Sequence, residues 1–148
     1  MSSSIPFTPQ NPNFAEVVRA SFELQGLMQL CEAKLTHVAP GAVDISMPHS
    51  DRLTQQHGFL HAAAVTAIAD SASGYAALSL MPVGSEVLSI EFKVNLLRPA
   101  AGEYFIAEGR VVKPGKTITV ARADVYAYKN NTPILVATLL ATMIAQSS

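Results

Sequence analysis

Apolar and polar residues alternate through the stretch VLSIEFKVNLL, with Leu88, Ile90, Phe92, Val94 and Leu96 on one parity and Ser89, Glu91, Lys93 and Asn95 on the other. That period of two predicts a half-buried β-strand. Shorter alternations at 30–38 and 42–47, separated by Pro40 and Gly41, predict two strands joined by a turn. Three more strands are expected at 104–111, 117–128 and 135–145, the last two joined by a tight turn over 130–133. Two segments carry helical signals instead. In NFAEVVRASFELQG, Asn13 is placed to cap a short helix, Glu16 to complete a capping box and Gly26 to end it. Residues 58–81, GFLHAAAVTAIADSASGYAALSLM, are rich in alanine, leucine and isoleucine and meet no proline before Pro82. They predict one long helix.

The long helix is apolar nearly all round, so other elements must cover most of it. The strands around it present small faces, Ala107 and Gly109 in one and Ala121, Ala123 and Ala127 in another. Small faces let a helix lie close. An antiparallel sheet of about six strands, curled around the long helix and preceded by a short N-terminal helix, satisfies both observations. The fold class expected is therefore α+β, in the hotdog arrangement.

A chain of 148 residues suits one domain, expected here as residues 13–148 behind a flexible leader over 1–12. Its composition, 49% hydrophobic against 14% charged, is lean in charge for a small monomer and points to a concealed subunit interface. A formal net charge of −1, with scattered Lys and Arg, offers no footprint for nucleic acid or an anionic membrane. The apolar stretch 59–81 contains His61 and Asp70, which are expensive in a bilayer, and 134–145 is too short to span one. Cys31 is the single cysteine, and the chain does not begin like a secretory signal, so the cytoplasm is the compartment expected.

Candidate chemistry concentrates around the long helix. Gln55, Gln56, His57 and Gly58 precede it, His61 opens it and Asp70 lies in its middle. A carboxylate within an apolar helix can simply hydrogen-bond Ser71 or Ser73, or it can be a general base or nucleophile tuned by its surroundings. His61 and Asp70 are nine residues apart, which sets them on opposite sides of a helix and roughly 13 Å apart along its axis. They can share a site only if two copies of the helix run antiparallel, as in a symmetric homodimer. His37, His49 and Cys31 have no companions at ligand spacing, so neither a metal nor another cofactor is expected.

The phrase HGFLHAAAVTAIADSASGYAA, supported by NLLRPA, resembles the hotdog-fold thioesterases of the phenylacetic-acid-degradation type, over about residues 14–145. The resemblance implies hydrolysis of acyl-coenzyme A thioesters, with aryl and medium-chain acyl groups equally open. It makes Asp70 the carboxylate that attacks the carbonyl or activates water. The backbone N–H of Ala62, at the positive end of the helix dipole, becomes the oxyanion donor. Gln55 positions the thioester or water, and Ser89 assists the water. His61 either supports the helix start or takes part in proton transfer. His57, Gly58, Ser73, Arg98 and Lys113 are candidate contacts for substrate or coenzyme A. The resemblance also implies a homodimer with shared active sites, assembled further as a dimer of dimers.

Two departures stand out. Ala62 and Ala63 occupy positions where the family usually has glycines, and strand parity puts Ser89 on the polar face with Glu91 and Lys93. Two other functions stay open: a hotdog enoyl-CoA hydratase or dehydratase, and a non-catalytic acyl-CoA binding module.

Overall fold

Residues 6–147 are described by a computed structural model in which six antiparallel strands form one sheet, ordered β1-β2-β4-β5-β6-β3, around a central helix. The strands are β1 (Lys34–Ala39), β2 (Ala42–Pro48), β3 (Ser85–Leu96), β4 (Tyr104–Lys113), β5 (Ile118–Lys129) and β6 (Thr132–Ser147). Helices α1 (Phe14–Glu23) and α2 (Gly26–Leu30) precede them, and α3 (Ala62–Leu78) is the helix they enclose. This is the expected hotdog arrangement.

The small strand faces do what their size suggests. Gly109 of β4 lies so close to α3 that a Cβ there would stand 2.2 Å from the Ala72 carbonyl oxygen. Ala69, Ala72 and Ala76 on the helix, and Ala107, Ala121, Ala123 and Ala141 on the strands, are fully buried in the same layer. Phe105, Ile45, Met47 and Ile68 fill the wider part of the core.

Several boundaries differ from expectation. The long helix spans 17 residues rather than the 24 of 58–81. An isolated bridge between Thr54 and Leu60 holds the preceding segment as a loop, Gly58 adopts φ +83°, and the His61 N–H donates to the Leu53 carbonyl. The capping box at Asn13 does not form. Asn13 makes no side-chain cap, and the buried Asn11 accepts the Asn13 N–H through Oδ1 at 2.9 Å. Gly26 starts α2 instead of only ending α1, because Gln25 between them is extended. Residues 30–33 therefore close that helix and turn through Glu32 at φ 53°, and β1 begins only at Lys34. The β5–β6 turn is carried by Asn130 and Asn131, both at positive φ, which places Pro133 inside β6.

Part of the expected leader lies outside the described residues. Within them, Phe7 packs against the core and Gln10 donates to the Leu80 carbonyl at 3.0 Å. No helix among the described residues is long and apolar enough to cross a membrane.

Candidate active site

The loop at 54–60 and the first turn of α3 bring together one group of the candidate residues. His61 is extended at the helix N-cap, and its Nδ1 accepts the Ala63 N–H at 2.8 Å. An accepting Nδ1 requires the neutral ring with its proton on Nε2. The Ala64 and Val65 N–H groups bond to the His61 carbonyl. The Ala62 N–H is left without a partner among the described residues, at the positive end of the helix. Ala62 lines an open cavity of about 470 Å³ together with Gln55, His61, Leu97, Arg98 and Val136. The Gln55 carbonyl and side-chain oxygens accept from Gly58 and His57 respectively, which fixes the loop.

A second group of candidate residues meets where α3 crosses β3. Asp70 is half-buried, and its Oδ1 accepts the Ser89 hydroxyl at 2.6 Å. Met143 Sδ is 3.3 Å from the same hydroxyl, but a single hydroxyl proton can serve only one acceptor, and the carboxylate is the stronger. These residues line a second cavity, of about 460 Å³, with Leu24, Gln25 and Tyr75.

A register shift explains how Ser89 reaches Asp70 against its expected facing. In the β3–β6 ladder Ser89 opposes Met143 and Glu91 opposes Thr142, so Ile90 is the extra residue of a bulge. Before the bulge Val87 and Ser89 face the helix, and after it Phe92 and Val94 do, opposite the buried Ala141 and Leu139. The polar-face assignment of Ser89 is thereby corrected, while Leu88 is turned outward beside Ile144.

Within one chain Asp70 and His61 therefore line different cavities, as their spacing on the helix required, and Ala62 lines the cavity of His61. His57 and Gly58 are exposed in the loop that leads into α3. Arg98 lines the first cavity and donates from Nη1 to the Leu135 carbonyl at 3.0 Å. Ser73 reaches neither cavity: it is fully buried, and its hydroxyl donates to the Asp70 carbonyl at 2.9 Å. Lys113 sits at the far end of β4, with Nζ near the Pro114 carbonyl. Gln25, Tyr75 and Met143 were not expected at the site. They arrive from α1–α2, the next turn of α3 and β6, and only the tertiary fold brings them to Asp70.

The hotdog fold thus brings a carboxylate on the enclosed helix together with a bonded serine on the adjoining strand, and leaves a helix-start N–H without a partner among the described residues. The sequence pattern of the thioesterase superfamily matches residues 57–134, so the chain belongs to that superfamily, and its reaction class is thioester hydrolysis. A thioesterase family protein from Silicibacter pomeroyi is 47% identical, with a TM-score of 0.90, over 91% of this chain and 99% of its own. The PaaI protein of E. coli, from the phenylacetic acid degradation operon, shares the fold with a TM-score of 0.82 at 18% identity, over 94% of this chain and 97% of its own. A protein of Halobacterium salinarum that carries an esterase name is 28% identical over 75% of this chain and 76% of its own length.

Proposed function

We propose that the protein hydrolyses acyl-coenzyme A thioesters, aryl or medium-chain, to the free acid and coenzyme A. The observation that carries this reading is the Asp70 carboxylate, the only acid on α3, opening into a cavity with the Ser89 hydroxyl hydrogen-bonded to it. Asp70 attacks the thioester carbonyl or takes a proton from the attacking water, and Ser89 holds the carboxylate's orientation. The Ala62 N–H receives the negative charge that develops on the carbonyl oxygen. Gln55 orients the thioester, and Arg98, with guanidinium donors beyond the one on Leu135, meets coenzyme A phosphates.

The working site is shared between two copies. Strand β3 is an unpaired edge on which Leu88, Ile90 and Leu96 are about half exposed. Its residues 86–89 line the Asp70 cavity, and Leu96, with Leu97 and Arg98 just beyond the strand, lines the Ala62 cavity. Two β3 edges paired antiparallel near Phe92 set the Asp70 half of one copy beside the Ala62 half of the other. A dimer of dimers completes the assembly. The outward row Leu88, Ile144 and Ile118, continuous across three strands, suits that second contact. The buried, unpaired Cys31 suits a reducing cytoplasm.

Thiol release from a panel of aryl and fatty acyl-CoA thioesters tests the reading. Asp70→Asn is expected to lower kcat by at least about a hundredfold, and Ser89→Ala by a smaller factor. Water addition to crotonyl-CoA without thiol release would assign the site to a hydratase instead. Tight acyl-CoA binding without turnover would make it a binding module.

A further inference from the structure

The wall of the Asp70 cavity contributed by α1, the α1–α2 junction and the following turn of α3 carries Ser21, Gln25, Ser71 and Tyr75 beside Leu24, although nothing in acyl hydrolysis requires this polar group. Gln25 Nε2 donates to the Tyr75 hydroxyl at 2.7 Å, the same hydroxyl lies 3.1 Å from Ser21 Oγ, and Ser71 donates to Gln25 Oε1 at 3.1 Å. All four residues line the cavity that holds Asp70 and Ser89. The chain of bonds is incomplete. A glutamine amide carries a second N–H and a second oxygen lone pair, and a serine hydroxyl can both donate and accept. Gln25 and Ser21 are half-buried and line the cavity, and no other protein group takes up these spare positions among the described residues.

The cluster is also held firmly. Tyr75 is buried with its ring edge-on to Phe22 at 6.1 Å between centroids, and the extended backbone of Gln25 projects from the corner between α1 and α2. Tyr75 follows Asp70 by five residues, a rise of about 7.5 Å along the helix. The polar wall therefore runs from Ser71, next to the carboxylate, to Tyr75, one helical turn and more beyond it, in a cavity lined also by Leu24, Glu86, Val87 and Met143.

We infer that Gln25 and Tyr75, with Ser21, form a specificity subsite that selects acyl groups carrying a hydrogen-bonding substituent, a hydroxyl or carbonyl, remote from the thioester. This rests on the reading that the Asp70 cavity takes the acyl group. An unsubstituted acyl end placed there covers the spare amide and hydroxyl groups without bonding them, which is unfavourable. A hydroxyl at that depth satisfies them.

The test compares matched pairs of butanoyl to octanoyl chains, unsubstituted and ω-hydroxylated. Each pair is measured as CoA thioesters in thiol release and as non-hydrolysable thioether analogues in calorimetric binding. At the best-fitting length the full chain is expected to favour the hydroxylated member at least about fivefold in kcat/KM and in affinity. Gln25→Leu and Tyr75→Phe are expected to bring that ratio close to one, and Gln25→Glu to retain part of it. Leu27→Gln, on the exposed face of α2, is expected to leave the ratio alone. Tyr75→Phe keeps the ring against Phe22 and so tests the subsite if Gln25→Leu does not fold. A ratio near one at every length overturns the inference, as does a preference that survives both variants. Selective binding without thiol release supports the subsite and removes the hydrolase reading.

Discussion

At the scale of single residues, the unpartnered Ala62 N–H makes the sharpest claim. Proline is tolerated at the first position of a helix, where its missing N–H breaks no intrahelical bond. The preceding His61, at ψ 140°, already has the backbone that proline imposes on its neighbour. Ala62→Pro is therefore expected to leave the thermal midpoint within a few degrees of the parent while lowering kcat by about 10²- to 10³-fold, the cost of one oxyanion donor. Parallel melting curves and thiol-release assays check both halves of that statement. His61 separates along the same lines. Its Nδ1 is occupied by the Ala63 N–H, so its direct role is the cap. His61→Asn, which can also cap, is expected to retain stability and most activity, whereas His61→Ala loses about 1 kcal/mol in chemical denaturation. A collapse of activity in His61→Asn with unchanged stability would instead show proton transfer through Nε2.

Among the elements, α3 and β4 approach each other as closely as their atoms allow. Gly109→Ala would drive a methyl group into the Ala72 carbonyl, and neither backbone can move without disturbing Ala107 or Ala69 alongside. Denaturant melts are expected to show a loss of about 3 kcal/mol. The reason for such closeness was legible in the amino-acid order, since an all-apolar alanine helix and strands with small faces admit few other arrangements. The helix start was less legible. Residues 58–61 are compatible with a helix by composition, but a bridge between Thr54 and Leu60 withdraws them, and that contact leaves no local pattern. Strand β3 is the clearest case. Its alternation identifies a strand correctly yet gives half its side chains the wrong facing, because the bulge at Ile90 carries no glycine to announce it. Asp70 could be picked out along the chain as a carboxylate in an apolar helix, and Gln55 only through the family resemblance. Gln25, Tyr75 and Met143 could not, as each is an ordinary packing or surface residue until the sheet curls around α3.

For the whole molecule, the decisive feature is that Asp70 and Ala62, the two halves of the proposed chemistry, line separate cavities of one chain, at opposite ends of the same edge strand. If two copies pair through β3, each site takes Asp70 from one protomer and the Ala62 N–H from its partner. Asp70→Asn and Ala62→Pro then cripple different halves of the same site, and each homodimer carries two damaged sites. In a mixed dimer both lesions fall into one site, while the other keeps its native Asp70 and its native Ala62. Unfolding and refolding an equal mixture of the two variants is expected to return about a quarter of the parent activity, since half the dimers are mixed and each has one intact site. The two variants refolded separately and then combined, without exchange of subunits, remain inactive. If refolding the mixture recovers nothing while sedimentation shows that mixed dimers have formed, Asp70 and Ala62 do not meet across the β3 edge. The pairing proposed here would then have to give way to another contact.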